Sequence, residues 1–436
     1  MTRGAALAVL LLFVLGVAAA AAQPCPDCFR AGAAAGVFAV PPGTPLAGYG
    51  GFTRRLLVPD VLGLYRHAFW FKPSEGELDP VGVRALVMEG GGGRIVWVAA
   101  DLIAVDRAFT ATLRRRLLEA GVPAAALIVS ASHTHSGPGA FLHGALIGAL
   151  ALDRYDDAVG AAILDAMVST VRAAEIAKAP ARVGSATGTV TTLTVPRLAS
   201  PPDPEVVVLR VDTAAGAPLA LVWNFAIHGT TLGPRNRRLS ADVMGVASRR
   251  LERTLGVPAL FVNGAVGDVS PARHGEEGAG ELGTALAATV HSVWERARTR
   301  ATAAVAARTR TVELPSPSLP VRNCLGRWIP SSLTLPLASA VPADAELTAA
   351  AVGDLAWVTM PGELQSSLGA RVKEGVRRRG RRAFVAGLSN DYLGYFVARG
   401  DYDHAAYVTC VSLFGADGGE RLAGAAAVLL RALETP

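Results

Sequence analysis

The sequence predicts an α/β protein: sheets built from β-hairpins and single strands, flanked by helices, within one large domain. Three observations carry this. Apolar runs of strand length come in pairs joined by glycine or small-residue turns. Each pair is followed by a helical stretch with its own start and stop signals. A short apolar strand comes next, and this hairpin–helix–strand order occurs three times.

The first copy opens with residues 83–88, turns at Gly90 to Gly93 and returns through residues 94–100 to Asp101. A helix is predicted from about Arg107 to Ala120, with Asp106 as its cap and Gly121 as its stop. The apolar run 125–130 then leads into Ala131-Ser-His-Thr-His-Ser-Gly-Pro-Gly139. As a strand, its alternation puts His133 and His135 on one face. Such a pair binds a metal, or binds it through one ring while the other handles protons. The glycines and proline beyond keep the chain in an open loop.

The second copy has strands at 206–211 and 219–225 around the turn 214–217, and it delivers His228. Its helix runs from about Ala241 to Leu255, and its last strand, 259–262, ends in Asn263-Gly-Ala-Val-Gly-Asp-Val-Ser-Pro271. The third has strands at 347–352 and 355–360 around Gly353-Asp354, and it delivers Glu363 after Pro361-Gly362. A helix from about Gln365 to Arg378 and a strand at 383–386 lead to Asn390-Asp-Tyr-Leu-Gly-Tyr395. In every copy the polar residues fall immediately after a strand, where loops at one sheet edge converge on a single site. His133, His228, Glu363 and Tyr395 are therefore candidates for one metal centre.

Composition bounds the function class. The 436 residues suffice for one large or two ordinary domains, 51% are hydrophobic and 18% charged, and the net charge is +6. The basic excess sits in helical runs such as Leu113-Arg-Arg-Arg116 and Val376-Arg-Arg-Arg379. These read as solvated helix faces, and no zinc-finger or RNA-binding signature accompanies them, which argues against a nucleic-acid partner. The alternative is that they assist approach to an anionic membrane surface.

Residues 1–22 read as an export signal: Arg3, an apolar stretch at 5–17, then Ala18 to Ala22 before a cut near Gln23. The mature domain, 23–436, is expected to be secreted or periplasmic, with no transmembrane segment. Pro24 before Cys25 argues against a lipid-modified cysteine. In an oxidising compartment disulfides are expected, and Cys25–Cys28 with Cys324–Cys410 is the simplest pairing, although sequence does not fix connectivity.

Five motifs, Ser-His-Thr-His-Ser-Gly-Pro-Gly, Asn224-Phe-Ala-Ile-His-Gly-Thr230, Gly267-Asp-Val-Ser-Pro271, Met360-Pro-Gly-Glu363 and Asn390-Asp-Tyr-Leu-Gly-Tyr395, together resemble the neutral (non-lysosomal) ceramidases. These are zinc amidases that cleave the N-acyl bond of ceramide. The resemblance spans roughly Gly36 to Gly415. It implies zinc held by His133, His228, Glu363 and a phenolate-type Tyr395, with His135 beside the metal-bound water as a proton carrier. It further implies roles for Ser270 as the active-site serine, Arg197 as a substrate contact and Tyr407 as a second tyrosine. Three departures stand out. The chain ends at Pro436, where the family usually continues into an immunoglobulin-like domain. Ala272-Arg273 follows the serine motif in place of asparagine, and Tyr407-Val-Thr-Cys-Val-Ser412 replaces Tyr-Glu-Gly-Ala-Ser. The metal set is intact, and which N-acyl compound fits stays open.

Zinc answers the difficulty of amide hydrolysis by polarising the carbonyl and lowering the pKa of its water to about 7. His135 is suited to protonate the departing amine, and Arg197 or Tyr407 to stabilise the oxyanion. The rival is a Ser270 nucleophile, but no Gly-x-Ser-x-Gly elbow is present. Asp101 and Asp268 are expected to orient ligand histidines. His143, His274 and His404 read as surface residues. Two other readings stay open: a deacylase or esterase on a different lipid, and a lipid-binding relative without turnover.

Overall fold

One element order recurs three times along the chain. In the first unit, β1 (Arg30–Val37) pairs antiparallel with β2 (Gly82–Gly90), which forms a hairpin with β3 (Gly93–Ala100). Helix α1 (Arg107–Glu119) returns the chain so that β4 (Leu127–Ala131) runs parallel to β3, and α2 (Asp157–Ile176) closes the unit. The second unit repeats this with β5 (Ala179–Thr189), β6 (Glu205–Thr213), β7 (Pro218–Phe225), α3 (Asp242–Leu255), β8 (Ala259–Asn263) and α4 (Gly275–Arg296). The third has β9 (Val305–Glu313), β10 (Asp344–Val352), β11 (Leu355–Thr359), α5 (Ser366–Arg377), β12 (Arg382–Ala386) and α6 (Gly415–Ala432). The predicted hairpins, helices and following strands are thus present in all three copies, and in each the last strand runs parallel to its hairpin.

The computed structural model describes residues 28–433. The export segment, its cut and Cys25 lie outside the described residues. Cys28 is disulfide-bonded, and Cys324 is joined to Cys410 as the simplest pairing predicted.

β1 and β5 pair at Arg30↔Pro180 and Ala31↔Ala179, which joins the first two units into an eight-stranded sheet. The third unit keeps its own four-stranded sheet. Strand alternation sets two layers of core. On β3, Ile95 and Trp97 face an inner core shared with Val222, Leu260, Trp357 and Phe384 from the other two units. Val96 and Val98 face outward onto α1 and α2 through Leu113, Ile163 and Met167. The Trp97 and Trp357 rings stack at 4.6 Å, with Phe384 parallel to both. The indole N–H of Trp97 donates to Ser130 Oγ at 3.1 Å, whereas that of Trp357 finds no partner among the described residues.

The same arrangement brings the carboxyl ends of the three parallel pairs together. Ala131 N–H donates to Leu388 O at 3.0 Å, and Gly387 N–H to Asn263 O at 2.9 Å. Buried Asn263 donates to Ser132 O and Ile227 O, while Asn390 brackets β4 by accepting from Val129 N–H and donating to Leu127 O. These amide side chains continue the backbone ladder where the strands stop, and they fix the loops that carry the candidate residues.

Candidate metal centre

The loops after β3 and β4 are tied together first. Ser132 N–H donates to Ala100 O and His133 N–H to Leu102 O, each at 2.9 Å. β4 has ended at Ala131, and His133 takes a φ of 70°, a left-handed conformation costing a non-glycine residue roughly 1–2 kcal/mol. The two imidazoles therefore meet through this turn, with their Nε2 atoms 3.5 Å apart, and not through the pleat of a strand as the alternation predicts. Nδ1 of His133 donates to the Ile103 carbonyl at 2.8 Å, which leaves Nε2 with its lone pair directed inward.

His228 arrives on the loop after β7. Gly229 next to it packs against Thr134, and a Cβ there would fall 2.4 Å from the His133 carbonyl oxygen, so only glycine permits this approach. His228 is fully buried, with Nε2 3.1 Å from His133 Nε2 and 3.1 Å from Glu363 Oε2. Glu363 Oε1 lies 3.3 Å from His133 Nε2. The glutamate starts the two-residue strand Glu363–Leu364, which runs parallel to Tyr395–Phe396 after β12.

Burial lowers the His228 pKa to about 3, with the Arg197 and His133 charges acting in the same direction. Burial likewise holds His135 well below the ordinary imidazole value. Burial pushes the Glu363 carboxyl up, but His133 and His228 outweigh it and hold it well below the usual range. The centre is thus a carboxylate facing the uncharged His228 ring, with His133 on its other oxygen. Of the two facing Nε2 atoms at most one can carry a proton, and among the described residues His228 Nδ1 and Glu363 Oε2 find no hydrogen-bond partner. A buried convergence of acceptor atoms with so few protons suits a cation, and two imidazoles with a carboxylate suit zinc. His135 is a further nitrogen within reach: His133, His135 and His228 set ligand atoms within 4.8 Å of one another.

Two phenols flank Glu363. Tyr392 donates its hydroxyl to Oε1 at 2.8 Å. Burial raises both Tyr392 and Tyr395 well above the ordinary tyrosine value, and the Glu363 charge adds to this. A phenolate at Tyr395 consequently requires a cation beside it. Tyr407 is 68% exposed and sits edge-on to the Tyr395 ring at 5.8 Å. It begins a short helix, Tyr407–Cys410, that the Cys324–Cys410 disulfide fastens to the segment Val321–Leu325.

Ser270 and Arg197 come from neighbouring edges, the strands Val269–Pro271 and Thr194–Pro196. Arg197 Nε donates to Ser270 Oγ at 2.8 Å, and its Nη1 lies 3.2 Å from His228 Nε2. The guanidinium thus stands between the serine and the histidine. Among the described residues no histidine hydrogen-bonds Ser270, so a serine nucleophile lacks its base.

Asp101 and Asp268 do not orient histidines. Asp101 accepts from Arg84 at 2.7 Å and from Gly82 N–H at 3.0 Å, and Asp268 accepts from Ser366 N–H and Oγ at 2.8 and 2.6 Å. Short strand-end carboxylates are taken up by the nearest donors, and the Ile103 carbonyl does the orienting instead. His143, His274 and His404 are exposed, as their lack of motif context predicts.

Sequence reasoning misses Arg54. Its guanidinium is buried and donates to the carbonyls of Ala47 and His135, with Gly233 O and Pro234 O at 3.3 Å. It also lies 4.8 Å from the Tyr49 ring, which packs 4.9 Å from His135. Burial brings the Arg54 pKa down to about 10, still cationic at neutral pH. Gly48, with φ of 104°, leaves the space that His135 fills. A lone arginine in a loop carries no sequence signal for any of this.

A family model of the N-terminal part of neutral/alkaline non-lysosomal ceramidases matches residues 81–300, just over half of the chain. The chain belongs to this family. The neutral ceramidase of Mycobacterium tuberculosis is 31% identical over 169 residues, covering 33% of this chain and 26% of that protein. That of Pseudomonas aeruginosa is 29% identical over 220 residues, covering 45% and 32%. The matched stretches thus span about a third or less of these ceramidases. The crystal structure of the Pseudomonas aeruginosa neutral ceramidase superposes with a TM-score of 0.78 at 20% identity, over 93% of this chain and 74% of that one. A ceramidase complexed with C2 gives 0.79 at 19% identity, over 94% and 75%. The ceramidase fold therefore extends well beyond the matched sequence, into the third unit that carries Glu363 and Tyr395.

Proposed function

We propose that this protein is a zinc amidase that hydrolyses the N-acyl bond of ceramide or a related N-acylated lipid, giving a free amine and a fatty acid. The observation that carries the proposal is the buried convergence of His133 Nε2, His228 Nε2 and Glu363, drawn from three separate units. Membership of the ceramidase family supports the choice of substrate class.

His133, His228 and Glu363 would hold the zinc, with Tyr395 completing the set. When bound, zinc supplies Lewis acidity, polarising a carbonyl and acidifying water. His135 is half-buried beside this point, with its Nδ1 unpartnered, so one ring nitrogen is free to accept a proton from water and pass it to the leaving amine. Arg197, already directed at the centre, offers guanidinium N–H groups to a developing oxyanion, and Ser270 holds its orientation. Tyr407, exposed beside Tyr395, would contact the substrate. The export reading of residues 1–22 and the Cys324–Cys410 bond support action outside the cytoplasm, at or near a membrane surface.

The test compares release of fatty acid from a fluorescent short-chain ceramide with release from its O-acyl ester analogue. Amide cleavage that disappears in Glu363→Gln supports the amidase. Cleavage of the ester alone assigns the esterase reading, and turnover of neither points to a binder.

A further inference from the structure

Beside the centre the chain extends an ordered finger with an apolar tip. Residues 54–60 run out and 69–72 run back, held by Lys72 N–H on Arg54 O at 2.7 Å, Leu56 N–H on Trp70 O at 3.0 Å and Asp60 N–H on Phe69 O at 2.9 Å. At the base, the Asp153 carboxylate accepts from the backbone N–H groups of Phe69, Trp70 and Phe71. At the tip, the Asp60 carboxylate accepts from Leu64 N–H and Tyr65 N–H at 2.9 and 2.6 Å. The turn is thus built, yet it turns its apolar side chains outward. Phe52 is 83% exposed, Leu57 93%, Leu62 80% and Leu64 73%. So much contiguous apolar surface on a braced element marks an interaction site.

We propose that this finger inserts into the surface of a bilayer containing anionic lipid and holds the centre against it. Two observations select a bilayer. With Arg54 buried, residues 51–72 still carry Arg55, Arg66 and Lys72 at or near the surface against Asp60 alone, so basic groups surround an aliphatic tip. Tyr65 at the tip and half-buried Trp70 on the returning strand are amphipathic rings of the kind that settle in a headgroup layer. The finger is also continuous with the candidate site, since Arg54 holds the His135 carbonyl. The choice of a bilayer rests on the lipid-amidase reading, but the insertion is tested without turnover.

The experiment is co-sedimentation of the full chain with vesicles of phosphatidylcholine mixed with phosphatidylglycerol, for the parent, the double variant Leu62→Asp/Leu64→Asp and the conservative Leu62→Phe. The parent and Leu62→Phe bind. The double variant partitions at least roughly tenfold less, as expected for losing two buried leucines, while retaining the parent's turnover of a dispersed short-chain ceramide. Equal vesicle binding by parent and double variant overturns the proposal. So does a parent that ignores vesicles, or one whose double variant changes only from dimer to monomer, which would make the tip a contact between copies. Vesicle binding without amide cleavage would instead sink the amidase reading and leave the finger standing.

Discussion

At the carboxyl ends of β3 and β4, β7 and β8, and β11 and β12, the chain places His133, His228, Glu363 and Tyr395, polar groups buried against one another. At the opposite, hairpin-turn ends of the same sheets it places charge at the surface. Arg94 bridges Glu89 and Glu175, and Lys178 reaches both carboxylates. Near the turn Gly353-Asp354 a cavity of about 500 Å³ is lined by Arg296, Arg298, Arg300 and Arg382. The turn ends gather charge around open volume, yet many of their ions are paired and in reach of solvent. At the carboxyl ends the acceptors are buried and converge without enough protons. Desolvated, unsatisfied polarity marks the chemistry here, and cavity size does not.

The sharpest break of this contrast is at His133 or Glu363. Replacing either with Ala should remove the metal, read by elemental analysis, and lower amide turnover by at least about a thousandfold, the scale of losing several kcal/mol of Lewis-acid stabilisation. Arg54→Met should act less strongly. It removes the donor on the His135 carbonyl, leaves metal content unchanged and lowers turnover by roughly tenfold to a hundredfold, as for groups that orient a site. The smallest effect belongs to the turn end. Arg94→Ala should cost at most about 1 kcal/mol in denaturant unfolding and leave turnover intact.

That last difference should also depend on pH. Burial alone would raise Glu89 and Glu175, but hydrogen bonds and charges from Lys178 and Arg94 hold both below the ordinary glutamate value. Their contribution is therefore present above the unfolded-state pKa, near 4.3, and is lost as pH falls through the depressed folded values. The gap between parent and Arg94→Ala should shrink in that acid window, followed by unfolding midpoints against pH.

Much of this was legible because its causes are local. The hairpins, α1, α3 and α5 and the strands that follow these helices announce themselves through turn glycines, caps and apolar runs. Asp106 caps α1 through Phe109 N–H as expected. β1 was not legible, since Arg30-Ala-Gly-Ala-Ala-Ala-Gly-Val37 has few of the residues that favour strands. The reason is tertiary: α2 packs so close that a Cβ on Gly32 would lie 2.1 Å from Ala174 O. α4 and α6 are similarly masked by their glycine and alanine content. The metal candidates were found because each lies beyond a strand, and Ser270, Arg197 and Tyr407 through the family motifs. Their orientation was not, because the His133 turn, the Ile103 carbonyl and Arg54 depend on chain segments meeting across units.

The most direct test of the central claim is zinc content per chain, measured with turnover of a short-chain ceramide before and after chelation and after adding zinc back. One zinc per chain is expected, with turnover that vanishes on chelation and returns with the metal. A purified, folded chain that hydrolyses the amide at full rate without any metal would contradict it.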